Sequence, residues 1–194
     1  PKDEAELRDL LFTALDHETP FAVRFPRGPG AGARLDRPMA RLPVGKAETL
    51  REGSDISLVG FGQSVLECEG AARILETEGI SATVVNARFA KPLDRDLLTQ
   101  LAREVGPMIT AEENVRAGGF GEGVREVLGD AGLAASLVKT LAMPDTIVDH
   151  GPQAAMRAIH SLDAAGIAEQ ARLALGRPKP PDATPSPDAR PALA

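Results

Sequence analysis

The 194 residues carry 28 acidic against 22 basic side chains, which gives a formal net charge of −6. This acidic balance, together with an aromatic share of 3% and no tryptophan or tyrosine, argues against nucleic-acid binding, which needs a basic face and stacking platforms. The single cysteine, Cys68, excludes an internal disulfide and favours the reducing cytoplasm, and no apolar run approaches the roughly 20 residues needed to span a membrane.

The chain opens inside a predicted helix over residues 2–16, which Asp3 can cap and in which leucines recur at helical spacing. No initiator methionine precedes Pro1, so we expect this chain to be one piece of a longer protein. Residues 21–25 predict a short strand, and a glycine-rich stretch follows it. Residues 33–43 are rich in arginine and proline and lack periodicity, which predicts an exposed linker.

From residue 44 onward, predicted strands and helices alternate. The strands are predicted at 44–47, 55–60, 81–86, 107–111 and 136–141. The first helix of this part is predicted to be capped by Ser64 and to stop at Gly79. A second is predicted to start at residues 92–94, and a third to follow the glycines at 118–123. Two more are predicted over residues 153–159 and 163–175. This alternation predicts an α/β fold, with a mostly parallel open sheet and helices on both faces. Residues 177–194 hold six prolines in eighteen positions and predict a disordered tail.

Several motifs suggest chemistry only weakly. The glycines at 118–123 lack the spacing of a dinucleotide loop and precede no Walker lysine, so close helix packing is the favoured interpretation. Glu112 and Glu113 are adjacent on a predicted strand and point to opposite faces, so one is expected to be solvated and the other to cap the glycine-rich turn or meet a partner subunit; acid–base catalysis is the alternative. The three histidines, His17, His150 and His160, show no metal-ligand spacing.

The motif Arg24-Phe25-Pro26-Arg27-Gly28 is the strongest candidate for ligand binding. An arginine presents a planar fork of donors that matches phosphate or carboxylate oxygens. The motif follows a predicted strand, and open α/β sheets place their ligands beyond strand ends. From these residues alone, ordinary surface ion pairs near a domain boundary are the favoured interpretation, and the family resemblance described next reverses that preference.

Eight blocks of this chain form a recognisable set: residues 22–28, 42–46, 88–94, 112–114, 118–121, 143–145, 150–151 and 162–166. In their order and spacing they resemble the C-terminal part of the 1-deoxy-D-xylulose-5-phosphate synthases, a family of the transketolase superfamily. Three positions depart from the pattern: Phe25 replaces a usual tyrosine, Asn86 a usual aspartate and Ser161 a usual glycine. None of these departures alters the assignment.

The resemblance implies a thiamine-diphosphate- and Mg²⁺-dependent homodimer that condenses pyruvate with D-glyceraldehyde 3-phosphate and releases carbon dioxide. The cofactor, the metal and the catalytic glutamate would be bound or supplied upstream of Pro1, so we expect no catalytic, cofactor-binding or metal-binding residue in this chain. Arg27 occupies the position of the arginine that grips the acceptor phosphate. Arg24 is a secondary candidate.

The same resemblance implies a division into domains. Residues 1–32 would be the last helix and strand of a pyrimidine-binding domain, 33–43 a linker, and 44–176 a domain like the C-terminal domain of transketolase. The chain alone would then be inactive and would need the upstream segment of the same enzyme. Two alternatives stay open: a non-catalytic interaction module, and the C-terminal region of a 2-oxo-acid dehydrogenase β subunit, which shares the fold.

Overall fold

Strands and helices alternate along the chain in the computed structural model, which describes residues 1–178. The helices are α1 (Glu4–Leu15), α2 (Ser64–Glu76), α3 (Arg95–Glu104), α4 (Phe120–Asp130), α5 (Gln153–Ile159) and α6 (Ala164–Ala174). The strands are β1 (Glu48–Arg51), β2 (Ile56–Gly60), β3 (Ala82–Asn86), β4 (Met108–Val115) and β5 (Leu137–Met143). Side-chain caps at Asp3, Asp94 and Asp163 fix the starts of α1, α3 and α6.

The sheet has five strands in the order β1-β3-β2-β4-β5. β1 runs antiparallel to β3 at one edge, and the remaining neighbours pair in parallel. The chain continues from β2 to β3 on one side and then crosses to β4 on the other. The carboxyl ends of β2 and β4 therefore form the topological switch point, where sheets of this kind bind ligands.

Helices cover both faces of the sheet, as the sequence predicted. One core lies under α2 and α6 and contains Leu58, Leu75 and Ile167, all fully buried. The other lies under α3 and α4 and contains Val59, Met108 and Leu128. Every residue of β2 and β3 is buried, as expected for strands with both faces covered.

The strand predicted at residues 21–25 does not form. No backbone N–H or C=O group of these five residues has a hydrogen-bond partner within residues 1–178. A strand is stable only when it pairs with a neighbour, and the described sheet ends at β1 and β5 without reaching this segment. The side chains of residues 21–25 favour a strand, but no strand of the described sheet lies beside them to pair with.

Two further predictions, the start of β1 and the cap of α2, are also wrong. β1 begins at Glu48 instead of residue 44, because Val44 and Gly45 form a turn in which Gly45 has φ +75°. The Asp94 carboxylate then accepts a hydrogen bond from the Ala47 N–H at 3.1 Å, just before the strand. Ser64 is the first residue of α2 and does not cap it; its buried hydroxyl has no hydrogen-bond partner within the described residues.

Residues 33–43 contain no helix or strand, but they fold back along α1. The buried Asp9 carboxylate accepts hydrogen bonds from the Ala40 N–H, at 3.0 Å, and from the Arg37 guanidinium. The Thr13 hydroxyl accepts one from the Leu42 N–H at 2.9 Å. Burial alone would raise the pKa of Asp9, but the bonds from Arg37 and Ala40 outweigh it and lower that pKa below its usual value.

The predicted tail, residues 177–194, lies outside the described residues from position 179 onward. Within residues 1–178, none of the helices combines the length and the apolar character that crossing a membrane requires.

Candidate functional site

The arginine motif runs past the switch point of the sheet. The Arg24 guanidinium donates a hydrogen bond to the side-chain oxygen of Asn114, near the end of β4. Arg24 is therefore paired with an amide rather than with a carboxylate. This contact draws the extended segment toward the carboxyl ends of the parallel strands.

Arg27 is held by its backbone and leaves its charge free. Its carbonyl oxygen accepts a hydrogen bond of 2.6 Å from the Gln153 amide at the start of α5. Its guanidinium is exposed and makes no hydrogen bond or ion pair within residues 1–178. A free guanidinium on a fixed backbone can bind an anion without first breaking an internal ion pair.

Two adjoining cavities, of about 330 Å³ and 570 Å³, lie on either side of the Arg27–Ala31 segment. The first is bounded by the start of α1, and the second by the first turn of α2 and by α5. Gln63 lines both cavities. Arg27 thus stands on the rim of a space large enough for a small-molecule ligand.

Arg157 of α5 is the centre of a polar network beside this space. Its guanidinium donates to Glu113 Oε1 at 2.7 Å, to Gln63 Oε1 at 2.8 Å, to Gln153 Oε1 at 3.2 Å and to Glu67 Oε1 at 3.5 Å. Only 16% of its side chain is exposed. The network ties α5 to α2 and to the end of β4.

The two adjacent glutamates have different partners, as their opposite directions on the strand predicted. Glu113 pairs with Arg157. Glu112 is fully buried and accepts hydrogen bonds from the Phe120 and Gly121 N–H groups, at 2.8 and 2.7 Å. Glu112 therefore caps α4 and occupies the amides that a phosphate would need.

The glycines around residue 120 serve helix packing. A Cβ atom on Gly121 would lie 2.7 Å from the Thr110 hydroxyl oxygen, and closer still to Thr140. One on Gly119 would lie within 2.8 Å of both carboxylate oxygens of Glu112. This confirms close packing rather than a phosphate loop.

A third cavity, of about 650 Å³, opens at the carboxyl ends of the parallel strands. Four of the six phenylalanines of the chain line it, in two contacting pairs: Phe61 stacks on Phe120 at 5.1 Å between ring centroids, and Phe21 meets Phe89 edge-on at 6.2 Å. Arg24 lies at the boundary of this cavity, whereas Arg27 does not, so the two candidate arginines line different spaces.

Arg88 also lines the third cavity, in a left-handed conformation with φ +56°. It pairs with Glu6 at 3.0 Å and with Glu48 at 2.7 Å. Asn86 donates to Glu6 at 2.6 Å, so one buried network joins α1 to the end of β3. An aspartate at position 86 could not make that donation.

Neither a metal site nor a reactive thiol is found in the part of the chain that the structure describes. Residues 1–178 contain no group of three or more His, Cys, Asp or Glu side chains that could hold a metal ion. Burial raises the pKa of the Cys68 thiol to about 12, which keeps it protonated and unreactive.

Sequence reasoning missed Gln153 and Arg157. Their four-residue spacing on a seven-residue helix gives only a weak signal, because an Arg and a Gln one turn apart are common on exposed helices. Their importance appears only when the fold brings α5 against the 24–28 segment.

Comparison with known proteins shows where the chain belongs. Residues 45–167 match the model of the transketolase C-terminal domain. The chain is 49% identical over 183 residues to "1-deoxy-D-xylulose-5-phosphate synthase 1" of Geobacter sulfurreducens, and 50% identical over 172 residues to the protein of the same name from Geobacter metallireducens. These matches cover 93% and 89% of this chain, and the chain spans 29% and 28% of those relatives.

A solved structure agrees in both sequence and fold. It is described as "Split gene transketolase, inactive beta4 tetramer" and is 33% identical, with a TM-score of 0.63. The match covers 72% of this chain and 45% of that one. With the family model matching well over half of the residues, the chain belongs to the transketolase C-terminal domain family.

Proposed function

We propose that this chain is the C-terminal part of a 1-deoxy-D-xylulose-5-phosphate synthase and that it supplies the grip on the acceptor phosphate. The names of the curated relatives support the reaction. The observation that carries the role of this chain is the free guanidinium of Arg27, on a backbone held by Gln153 and beside two open cavities. Arg24 is the weaker candidate, because Asn114 already engages it.

Arg27 would bind the phosphate of D-glyceraldehyde 3-phosphate through charge-assisted hydrogen bonds. Holding the substrate by its remote phosphate fixes the aldehyde in position for attack, so that binding energy lowers the barrier of the reaction. Thiamine diphosphate with Mg²⁺, bound by the upstream part of the enzyme, would supply the chemistry that decarboxylates pyruvate. This chain contributes orientation and charge.

The proposed enzyme is a homodimer of the cytoplasm in which residues 1–32 complete the upstream pyrimidine-binding domain. Residues 33–43 link that domain to the C-terminal domain, residues 44–176. The unpaired backbone at 21–25 supports this division, because a strand without a partner in residues 1–178 can pair with a sheet built from upstream residues. The "inactive beta4 tetramer" of the split-gene relative supports the expectation that this chain alone does not catalyse the reaction.

The test is a joined protein, in which the part of the Geobacter sulfurreducens relative that precedes its matched region is fused ahead of Pro1. With thiamine diphosphate and Mg²⁺, it should form 1-deoxy-D-xylulose 5-phosphate from pyruvate and D-glyceraldehyde 3-phosphate, while this chain alone should not. Absence of product from a folded, cofactor-bound fusion would favour a non-catalytic interaction module. Transfer to a lipoyl acceptor would favour a 2-oxo-acid dehydrogenase β subunit.

In the joined protein, Arg27→Ala should raise the KM for D-glyceraldehyde 3-phosphate by about 10- to 100-fold, the loss expected for hydrogen bonds to a charged group. The KM for pyruvate should stay within about two-fold. Arg125→Ala, which removes an exposed arginine of α4, is the matched control and should change neither value. Equal effects of Arg27→Ala on both substrates would refute the phosphate grip.

A further inference from the structure

Gln153 is the only residue in the described part of the chain that hydrogen-bonds to Arg27. Its Nε2 donates to the Arg27 carbonyl oxygen at 2.6 Å, while its Oε1 accepts from Arg157 Nη2 at 3.2 Å. We infer that Gln153 is a positioning residue for the acceptor-phosphate site, held in place by Arg157. This inference rests on the proposed function of Arg27.

The two ends of the Gln153 amide fix its orientation. The amide nitrogen must face Arg27, because only an N–H can donate to a carbonyl, and the amide oxygen must face Arg157, because a guanidinium only donates. Each contact therefore enforces the other. A side chain of the same shape without the N–H could keep the Arg157 contact and would lose the Arg27 contact.

Arg157 serves as a structural anchor rather than as a second anion grip. Four of its five N–H donors are directed at Gln63, Glu67, Glu113 and Gln153, and two of those partners are carboxylates. A phosphate would have to displace these partners from a mostly buried guanidinium. Arg27, whose guanidinium has no competing partner among residues 1–178, is left as the residue that meets the anion.

The backbone of the arginine motif is shaped to receive Gln153. Gly28 has φ +149°, and a Cβ atom there would lie 3.0 Å from Gln153 Nε2. A side chain at position 28 would push the amide away from the Arg27 carbonyl. The glycine therefore permits the close approach that the hydrogen bond requires.

The hydrogen bonds of Arg157 and Gln153 hold α5 in place and connect it to Arg27. This helix has seven residues and none of them is buried, so packing alone holds it weakly. Arg157 attaches it to α2 and to the end of β4, and Gln153 passes that attachment on to Arg27. The position of the phosphate grip is thereby set by the rigid sheet through three side chains: Glu113, Arg157 and Gln153.

The test uses the joined enzyme with Gln153→Glu, which keeps the size of the side chain and an acceptor for Arg157 but removes the donor to Arg27. We expect the KM for D-glyceraldehyde 3-phosphate to rise about three- to ten-fold, the range of a single hydrogen bond. The pyruvate KM should be unchanged, and kcat at saturating acceptor should stay within two-fold. Gln170→Glu, an equal charge change on α6, is the control and should leave all values unaltered.

A second variant and a double variant separate the possible outcomes. Arg157→Lys keeps the charge, but a lysine cannot reach all four partners of Arg157. Like Gln153→Glu, this variant should therefore raise the KM for D-glyceraldehyde 3-phosphate. In an Arg27→Ala background, Gln153→Glu should add no further increase, because its effect passes through Arg27.

An additive effect, or an unchanged KM in Gln153→Glu when Arg27→Ala raises it, would overturn the positioning role and leave the proposed function standing. An unchanged KM in Arg27→Ala would overturn both.

Discussion

The carboxylate of Glu112 is buried at the start of α4, where it accepts two backbone hydrogen bonds and a third, of 2.8 Å, from Asn114 Nδ2. Asn114 in turn accepts from Arg24. One carboxylate therefore caps a helix and orients the amide that holds part of the arginine motif.

Replacing Glu112 by alanine should lower the free energy of unfolding by about 2 kcal/mol, because the buried N–H groups of Phe120 and Gly121 lose their acceptor. Urea titration of this chain followed by circular dichroism would measure the change. Glu126→Ala, at an exposed position of the same helix, should alter stability by less than about 0.5 kcal/mol. A loss no larger than that of the control would contradict the capping role.

Individual residues show what the sequence could and could not predict at this site. The alternation of strand side chains correctly separated Glu112 from Glu113, since successive residues of a strand face opposite ways. The partner of Arg24 could not be predicted, because Asn114 lies 90 positions away and only the fold brings it near. The same holds for Gln153, which lies 126 positions from Arg27.

At the scale of elements, local patterns predicted the helices and central strands well and failed where an element depends on a neighbour. α5 spans the predicted residues 153–159, and α3 begins at Arg95, directly after the predicted start at residues 92–94. Residues 21–25 carry strand-forming side chains, yet pairing decides whether they form a strand. β1 starts late because a turn and a carboxylate from α3 shape the residues ahead of it.

The unpaired segment leads to a prediction from hydrogen exchange. In this chain alone, the amides of residues 21–25 should exchange at close to the rate of an unstructured peptide, because none is hydrogen-bonded within residues 1–178. In the joined enzyme, alternate amides of the segment should become protected as it pairs with an upstream sheet. Mass spectrometry of peptic peptides would follow both states, with β3 as the protected reference. Unchanged fast exchange in the joined enzyme would contradict the proposed domain division.

At the scale of the whole molecule, residues 1–178 form two hydrophobic cores, and Cys68 lies within the one under α2 and α6. Burial holds the pKa of this thiol at about 12, against an ordinary value of 9.0. Above pH 9 the unfolded thiol loses its proton, whereas the folded one keeps it. The free energy of unfolding should therefore fall as the pH rises from about 9 toward 12.

Between pH 8 and pH 10 this loss should amount to about 1.4 kcal/mol, the value of one pKa unit. Cys68→Ala removes the titrating group. Between pH 8 and pH 10, the free energy of unfolding of this variant should therefore fall by about 1.4 kcal/mol less than that of the unaltered chain. Denaturant unfolding at both pH values would measure the difference. Parallel losses in the two proteins would show that the thiol does not remain protonated in the core.

The absence of tryptophan and tyrosine from the sequence makes the phenylalanine-lined cavity a suitable place for a fluorescent reporter. Without tryptophan or tyrosine, the chain absorbs almost nothing at the wavelengths that excite indole fluorescence. A tryptophan in place of Phe61, beside Phe120 and at the switch point of the sheet, would thus be the sole emitter in this chain. Its emission would report hydration and occupancy of that cavity against a dark background.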